Sequence, residues 1–88
     1  MGARVHPRVS ERHPELRDED VLSAWGNAYW YKLRIGGEKT FHIAIGADSK
    51  SRFIEMVAVE DDGGVLVIFH AITPPSTKTL KKLGIRGR

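Results

Sequence analysis

From Phe53 to Ile72 the chain reads "FIEMVAVEDDGGVLVIFHAI", two apolar, β-branched-rich runs around Asp61-Asp62-Gly63-Gly64, which is the pattern of a β-hairpin. Two further runs precede it, "YWYKLRI" and "TFHIAIG", separated by "GGEK" and joined to the hairpin by "ADSKS". Four strands with short, turn-rich loops predict an antiparallel meander. Ahead of them, "LRDEDVLSAWGNA" predicts a helix capped by Asp18, with Glu19 and Asp20 at the positive end of its dipole and Gly26-Asn27 at its end. Val21, Leu22, Ala24 and Trp25 form its apolar stripe. The tail "TPPSTKTLKKLGIRGR" predicts a short basic helix with Thr73 as N-cap, Pro74 at its first position and Gly84 at its end. The expected fold is α+β: a four-stranded antiparallel meander with an N-terminal helix on one face and a short C-terminal helix.

Side chains alternate across a strand, so a register can be judged by whether it gathers the apolar residues on one side. With Asp62-Gly63 at the centre of the last turn, Glu55 falls opposite His70. A four-residue loop pairing Gly46 with Ser51 puts His42 opposite Glu55, and pairing Ile35 with Lys39 puts Lys32 opposite His42. Leu33, Ile35, Phe41, Ile43, Ile45, Ile54, Met56, Ala58, Val65, Val67, Phe69 and Ala71 then share one face, the expected seat of the Asp18 helix. The other face carries Lys32, Arg34, His42, Glu55 and His70 at one end and Val57, Val59, Leu66 and Ile68 at the other.

Composition narrows the chemistry. Eighty-eight residues make a single domain, 1–88, with 1–9 and 85–88 expected as flexible ends. There is no cysteine, which excludes disulfides, thiolate catalysis and thiolate-bound metal. No apolar run approaches the length of a membrane span and the N-terminus lacks a secretory apolar region, so the expected setting is cytoplasmic. Fourteen Lys and Arg against 11 Asp and Glu give a net charge of +3, a bias toward an anionic partner. No P-loop, GxGxxG or GxSxG occurs, so no nucleotide cofactor or hydrolase elbow is expected.

A carboxylate between two imidazoles can hold both rings in place, and imidazole serves as acid or base near neutral pH. Lys32 and Arg34 beside them could grip a phosphate. The set suits metal-independent cleavage of RNA, in which the 2′-hydroxyl is the internal nucleophile. Glu55, His42 and His70 could equally be a solvated salt cluster, and two histidines with one carboxylate are only a loose metal-ligand pattern. Arg52 and Lys78 are further phosphate-binding candidates, with Lys81 and Lys82 extending the basic surface.

"HPELRDEDVLSAW", a meander containing "HIAIG", "SRFIEMVAV" and "VLVIFHA", and the basic tail together resemble the BrnT-type toxins of the RelE/ParE superfamily and their uncharacterised bacterial relatives, over roughly residues 10 to 83. The resemblance implies a small RelE-like ribonuclease that cuts mRNA without cofactor or metal. It also implies a type II toxin-antitoxin system, with a ribbon-helix-helix antitoxin as partner. The chain departs from the family at Ile72, where an arginine is usual, at His70, where a small polar residue is common, and at Phe41-His42, which replace a basic residue ahead of "IAIG". Histidines standing in for arginines would keep catalysis. The alternative is a non-catalytic binding module, antitoxin-bound or homodimeric, that uses the strip of Val57, Val59, Leu66 and Ile68.

Overall fold

The computed structural model describes residues 2–84, so the 85–88 end lies outside the described residues. The elements are β1 (Ala3–Val5), α1 (Arg8–Arg12), α2 (Asp18–Gly26), β2 (Ala28–Gly36), β3 (Lys39–Ala47), β4 (Phe53–Glu60), β5 (Leu66–Ile72) and α3 (Thr77–Lys82). They build a small α+β domain around one five-stranded sheet in the order β1-β5-β4-β3-β2. β2 to β5 form the expected antiparallel meander. The fifth strand was not expected. β1 lies parallel to β5, pairing Ala3 with Leu66 and Val5 with Ile68, and Val5 and Val9 belong to the core. Residues 3–9 are therefore part of the fold rather than a loose end; three residues of strand carry too little periodicity to be read in advance.

The turns reset every register. Gly37, at φ 62°, allows a two-residue turn in which Gly36 pairs with Lys39, so Lys32 faces Ile43 instead of His42. Between β3 and β4 the loop has five residues, and Ala47 pairs with Phe53. Asp48 organises it: Oδ1 accepts from the N–H groups of Lys50 and Arg52, and Ser51 takes the left-handed conformation at φ 63°. The pairing moves by an odd number of residues, and an odd shift turns a strand over. His42 now pairs with Ala58, while Ile45 is the residue opposite Glu55.

Two changes occur between β4 and β5. Asp61 Oδ1 accepts from Gly63 and Val65 N–H, closing a turn one residue longer than expected. A β-bulge follows, in which the pair Val57–His70 gives way to Ala58–Ile68 and Phe69 is the extra residue. The two shifts together leave Glu55 and His70 on a common face, offset diagonally, with Ile72 directly opposite Glu55.

The helices cover the face of Ala44, Ile54, Met56, Ala58, Ile68 and Ala71, all buried with Leu16, Val21 and Ala24. Size explains this choice. A Cβ on Gly46 would lie 2.0 Å from the Ala24 carbonyl oxygen, so α2 needs the small residues Ala44 and Gly46 beneath it. Phe41 and Ile43, expected under that helix, lie on the other face, along with Ile45. Leu22, expected in the buried stripe, is 39% exposed. The longer turn also divides the expected hydrophobic strip, since Ile68 and Leu66 join the helix side while Val57 and Val59 stay opposite.

α3 returns over the second face. Its N-cap is Ser76, not Thr73, and the Ser76 hydroxyl accepts from the Thr79 N–H at 3.2 Å. α2 begins at Asp18, and Asp20 accepts from the Arg17 N–H. Among the described residues no helix is long and apolar enough to cross a membrane.

Candidate functional site

Glu55 sits in the middle of β4 with 4% of its surface exposed, beneath the start of α3. A buried carboxylate is costly unless hydrogen bonds replace water. Here both oxygens are engaged. Oε2 lies 2.6 Å from His70 Nε2, and Oε1 accepts from the Ser76 N–H and hydroxyl, each at 2.9 Å. Burial alone would raise the carboxyl, but hydrogen bonds from His70, Ser76 and Thr79 outweigh it and hold Glu55 at about 2.

That carboxylate determines which nitrogen of His70 carries hydrogen. An ionised carboxylate only accepts, so Nε2 must donate, and in the neutral ring the lone pair is left on Nδ1. Nδ1 can take a proton from a bound group and give one back. The ring is 38% exposed while the Glu55 side chain is 6% exposed, an arrangement of buried anchor and accessible imidazole.

Clefts flank the imidazole. One, of about 400 Å³, is lined by Arg34, Phe41, Glu55, Phe69, His70 and Lys78 among others. Arg34 lies over the Phe41 ring, 5.4 Å from its centroid, and Phe41 meets Phe69 edge to face. A second, of about 180 Å³, is lined by Arg8, Val9, Arg12, His13 and again Phe69, His70 and Ala71. It exists because β1 pairs with β5 only as far as Ile68. Past that point the chain leaves through His6 into α1, and Phe69 to Ala71 are left bordering a notch.

Of the seven residues expected at the site, four line the first cleft: Glu55, His70, Arg34 and Lys78. Glu55 and His70 meet; Arg34 and Lys78 stand in the same cleft. Lys32 shares the open face, paired with Ile43. His42 is on the helix side, next to the Tyr31 hydroxyl, and does not reach Glu55; burial raises the Tyr31 hydroxyl above its ordinary value. Arg52 is also elsewhere. Its guanidinium binds Asp48 Oδ2 at 2.8 Å and Asp20 Oδ2 at 3.2 Å and reaches the Glu15 carbonyl at 3.3 Å, so it clips the β3–β4 loop to α2. Asp48 is held below the ordinary carboxylate range: burial works against this, but the Arg52 and Lys50 hydrogen bonds and the Arg52 charge prevail.

Sequence reasoning missed Ser76, Thr79, Arg8, Arg12 and His13. Ser76 had a signal, since "STKT" places a hydroxyl three residues before a helical N–H. The α1 residues had none, because their position depends on the parallel pairing of β1. The described residues contain no group of three His, Asp or Glu side chains placed to hold a metal ion. Comparison of the chain with known protein families, with curated proteins and with solved structures gave no match.

Proposed function

We propose that this protein is a metal-independent RNA endonuclease, the toxin of a cytoplasmic type II toxin-antitoxin pair with a RelE-like, BrnT-type fold. The observation that carries the reading is the buried Glu55 carboxylate 2.6 Å from Nε2 of a half-exposed histidine, in a cleft that also holds Arg34 and Lys78. The order of elements, helices before a meander and a basic helix after it, is in keeping with the resemblance of the sequence to that family.

The chemistry follows from the site. Nδ1 of His70 removes the proton of a ribose 2′-hydroxyl, and the 2′-oxygen attacks the adjacent phosphorus. The bond from phosphorus to the 5′-oxygen breaks and water protonates the leaving oxygen, giving a 2′,3′-cyclic phosphate. Arg34 and Lys78 neutralise the charge that builds on the phosphoryl oxygens. Glu55 keeps the ring in the reactive tautomer and stabilises the imidazolium, the part an acid plays behind the histidine of a catalytic triad. A single-stranded RNA oligonucleotide should be cut in EDTA, while its all-deoxy counterpart should remain whole. Intact RNA, with and without ribosomes, would end the reading.

A second reading has its own observation. β2 is a sheet edge with Tyr29, Leu33 and Ile35 exposed at 65%, 51% and 80%, and an apolar slot of about 290 Å³ lies between Trp30, Ile45, Phe53, Pro74, Pro75 and Leu80. Bare apolar edges invite a partner strand. A non-catalytic module bound to an antitoxin, or to a second copy of itself, would cover this edge. Mass by light scattering, alone and with the product of the neighbouring gene, tests it. A strict monomer that binds neither would remove it.

A further inference from the structure

His70 is reached from both sides of the sheet edge, and the two clefts that share its ring are both basic. Arg34 and Lys78 line one. Arg8, Arg12 and His13 line the other. Charge has the opposite sign on the far side of Phe69, where a third cleft, of about 490 Å³, is bordered by Glu60, Asp61 and Asp62 against the single lysine Lys39. A chain of phosphates is repelled there and attracted along the line from α1 across His70 to α3.

We infer that the notch beside α1 is a second phosphate subsite, in which Arg8 and Arg12 hold the phosphate next to the one at His70, so that the substrate is an internal stretch of single-stranded RNA rather than a dinucleotide or a chain end. The sizes of the clefts agree with this. The 180 Å³ notch has room for a phosphate and its ribose oxygens, and the 400 Å³ cleft, floored by Phe41 and Phe69, has room for a nucleoside whose base lies against an aromatic ring. Guanidinium is the group suited to gripping phosphate at such a point, through paired N–H donors. The inference rests on the ribonuclease reading only in placing the scissile phosphate at His70. The two arginines act on binding, not on the bond that breaks.

The test uses the full chain and fluorescent 2′-O-methyl RNA, which presents the phosphates but cannot be cleaved. An octanucleotide should bind with a steeper salt dependence than a dinucleotide. The Arg8→Ala/Arg12→Ala variant should reduce the octanucleotide's log–log salt slope by roughly 0.7, the value of one phosphate contact on a single strand, and leave the dinucleotide's unchanged. Arg12 is exposed, so Arg12→Ala alone keeps the test valid if the double variant melts early; its octanucleotide slope should fall in the same direction, by no more than about 0.7, with the dinucleotide's unchanged. A slope equal in wild type and variant, or an equal loss for both lengths, overturns the subsite. Cleavage of ordinary RNA is scored separately. Expected binding without cleavage defeats the ribonuclease reading and keeps the phosphate track; cleavage insensitive to length and to both arginines does the reverse.

Discussion

The domain buries two acidic clusters, one on each side of its sheet, and they differ in the base that neutralises them. On the helix side Asp48 and Asp20 share Arg52. A guanidinium stays charged at any ordinary pH, and this one spends its donors on two carboxylates and a carbonyl, so nothing is left to react. On the open side Glu55 is paired with His70, whose second nitrogen is directed to neither Glu55 oxygen and whose ring borders two clefts. Both acids lie below their ordinary range for similar reasons. The depressed carboxyl therefore does not identify the site. The partner's chemistry, an imidazole with a second nitrogen rather than a guanidinium, and its access to a ligand separate a clip from a site.

The sharpest way to break this contrast is Arg52→Met. It leaves buried Asp48 without a cation and Asp20 with only Lys50, 3.9 Å away, and should cost about 3–5 kcal/mol, lowering the thermal midpoint by roughly 15 °C or more in a domain of this size. His70→Gln should shift the midpoint by only a few degrees, since the ring is exposed and Ser76 continues to satisfy Glu55. Equal losses in thermal melts would mean that both clusters are structural.

Acid sharpens it next. Glu55 is held at about 2 in the fold against 4.5 when unperturbed. Its folded value is depressed, so its contribution, on the order of 3 kcal/mol, is fully present above about pH 5 and is lost as the pH falls from there toward 2. In urea titrations Glu55→Gln should be less stable than wild type at neutral pH, and the gap should close in acid. A gap that stays constant with pH would contradict the assignment. The substitution should also slow RNA cleavage, though less than loss of the His70 ring, because Gln can still hydrogen-bond it.

Gly46→Ala acts on the helix side alone. The added Cβ would meet the Ala24 carbonyl at 2.0 Å, pushing α2 from the sheet at a cost of about 1–3 kcal/mol in chemical denaturation, with cleavage retained in the folded fraction. Smallest of all, Ile35→Thr on the open edge should stay within about 0.5 kcal/mol, since Ile35 is 80% exposed.

The meander and both principal helices could be read from period and turn residues, and α2 missed its expected start by a cap. Registers could not be read as easily. Each depended on a single residue of turn length: Gly37 in one loop, Asp48 with Ser51 in another, Asp61 in the third. Gathering the apolar residues on one face placed Phe41 and Ile43 under the helix because the criterion ignores volume. α2 needed the space above Gly46 instead. His42 moved with its strand and left the site. Glu55 and His70 stayed together because two odd shifts, the longer turn and the bulge at Phe69, cancel in parity. The α1 arginines were invisible for a different reason: a three-residue parallel strand brings them to His70, and such a strand has no pattern of its own.

The most direct test compares the two histidines that looked alike in the sequence. His70→Ala and His42→Ala, purified free of any partner, would be assayed for cleavage of one single-stranded RNA in EDTA. The account predicts a loss of roughly 10²–10⁴-fold for His70→Ala and a change of only a few fold for His42→Ala, whose ring lies on the other face beside Tyr31. Equal losses for the two variants, or a wild-type protein that leaves the RNA whole, would contradict it.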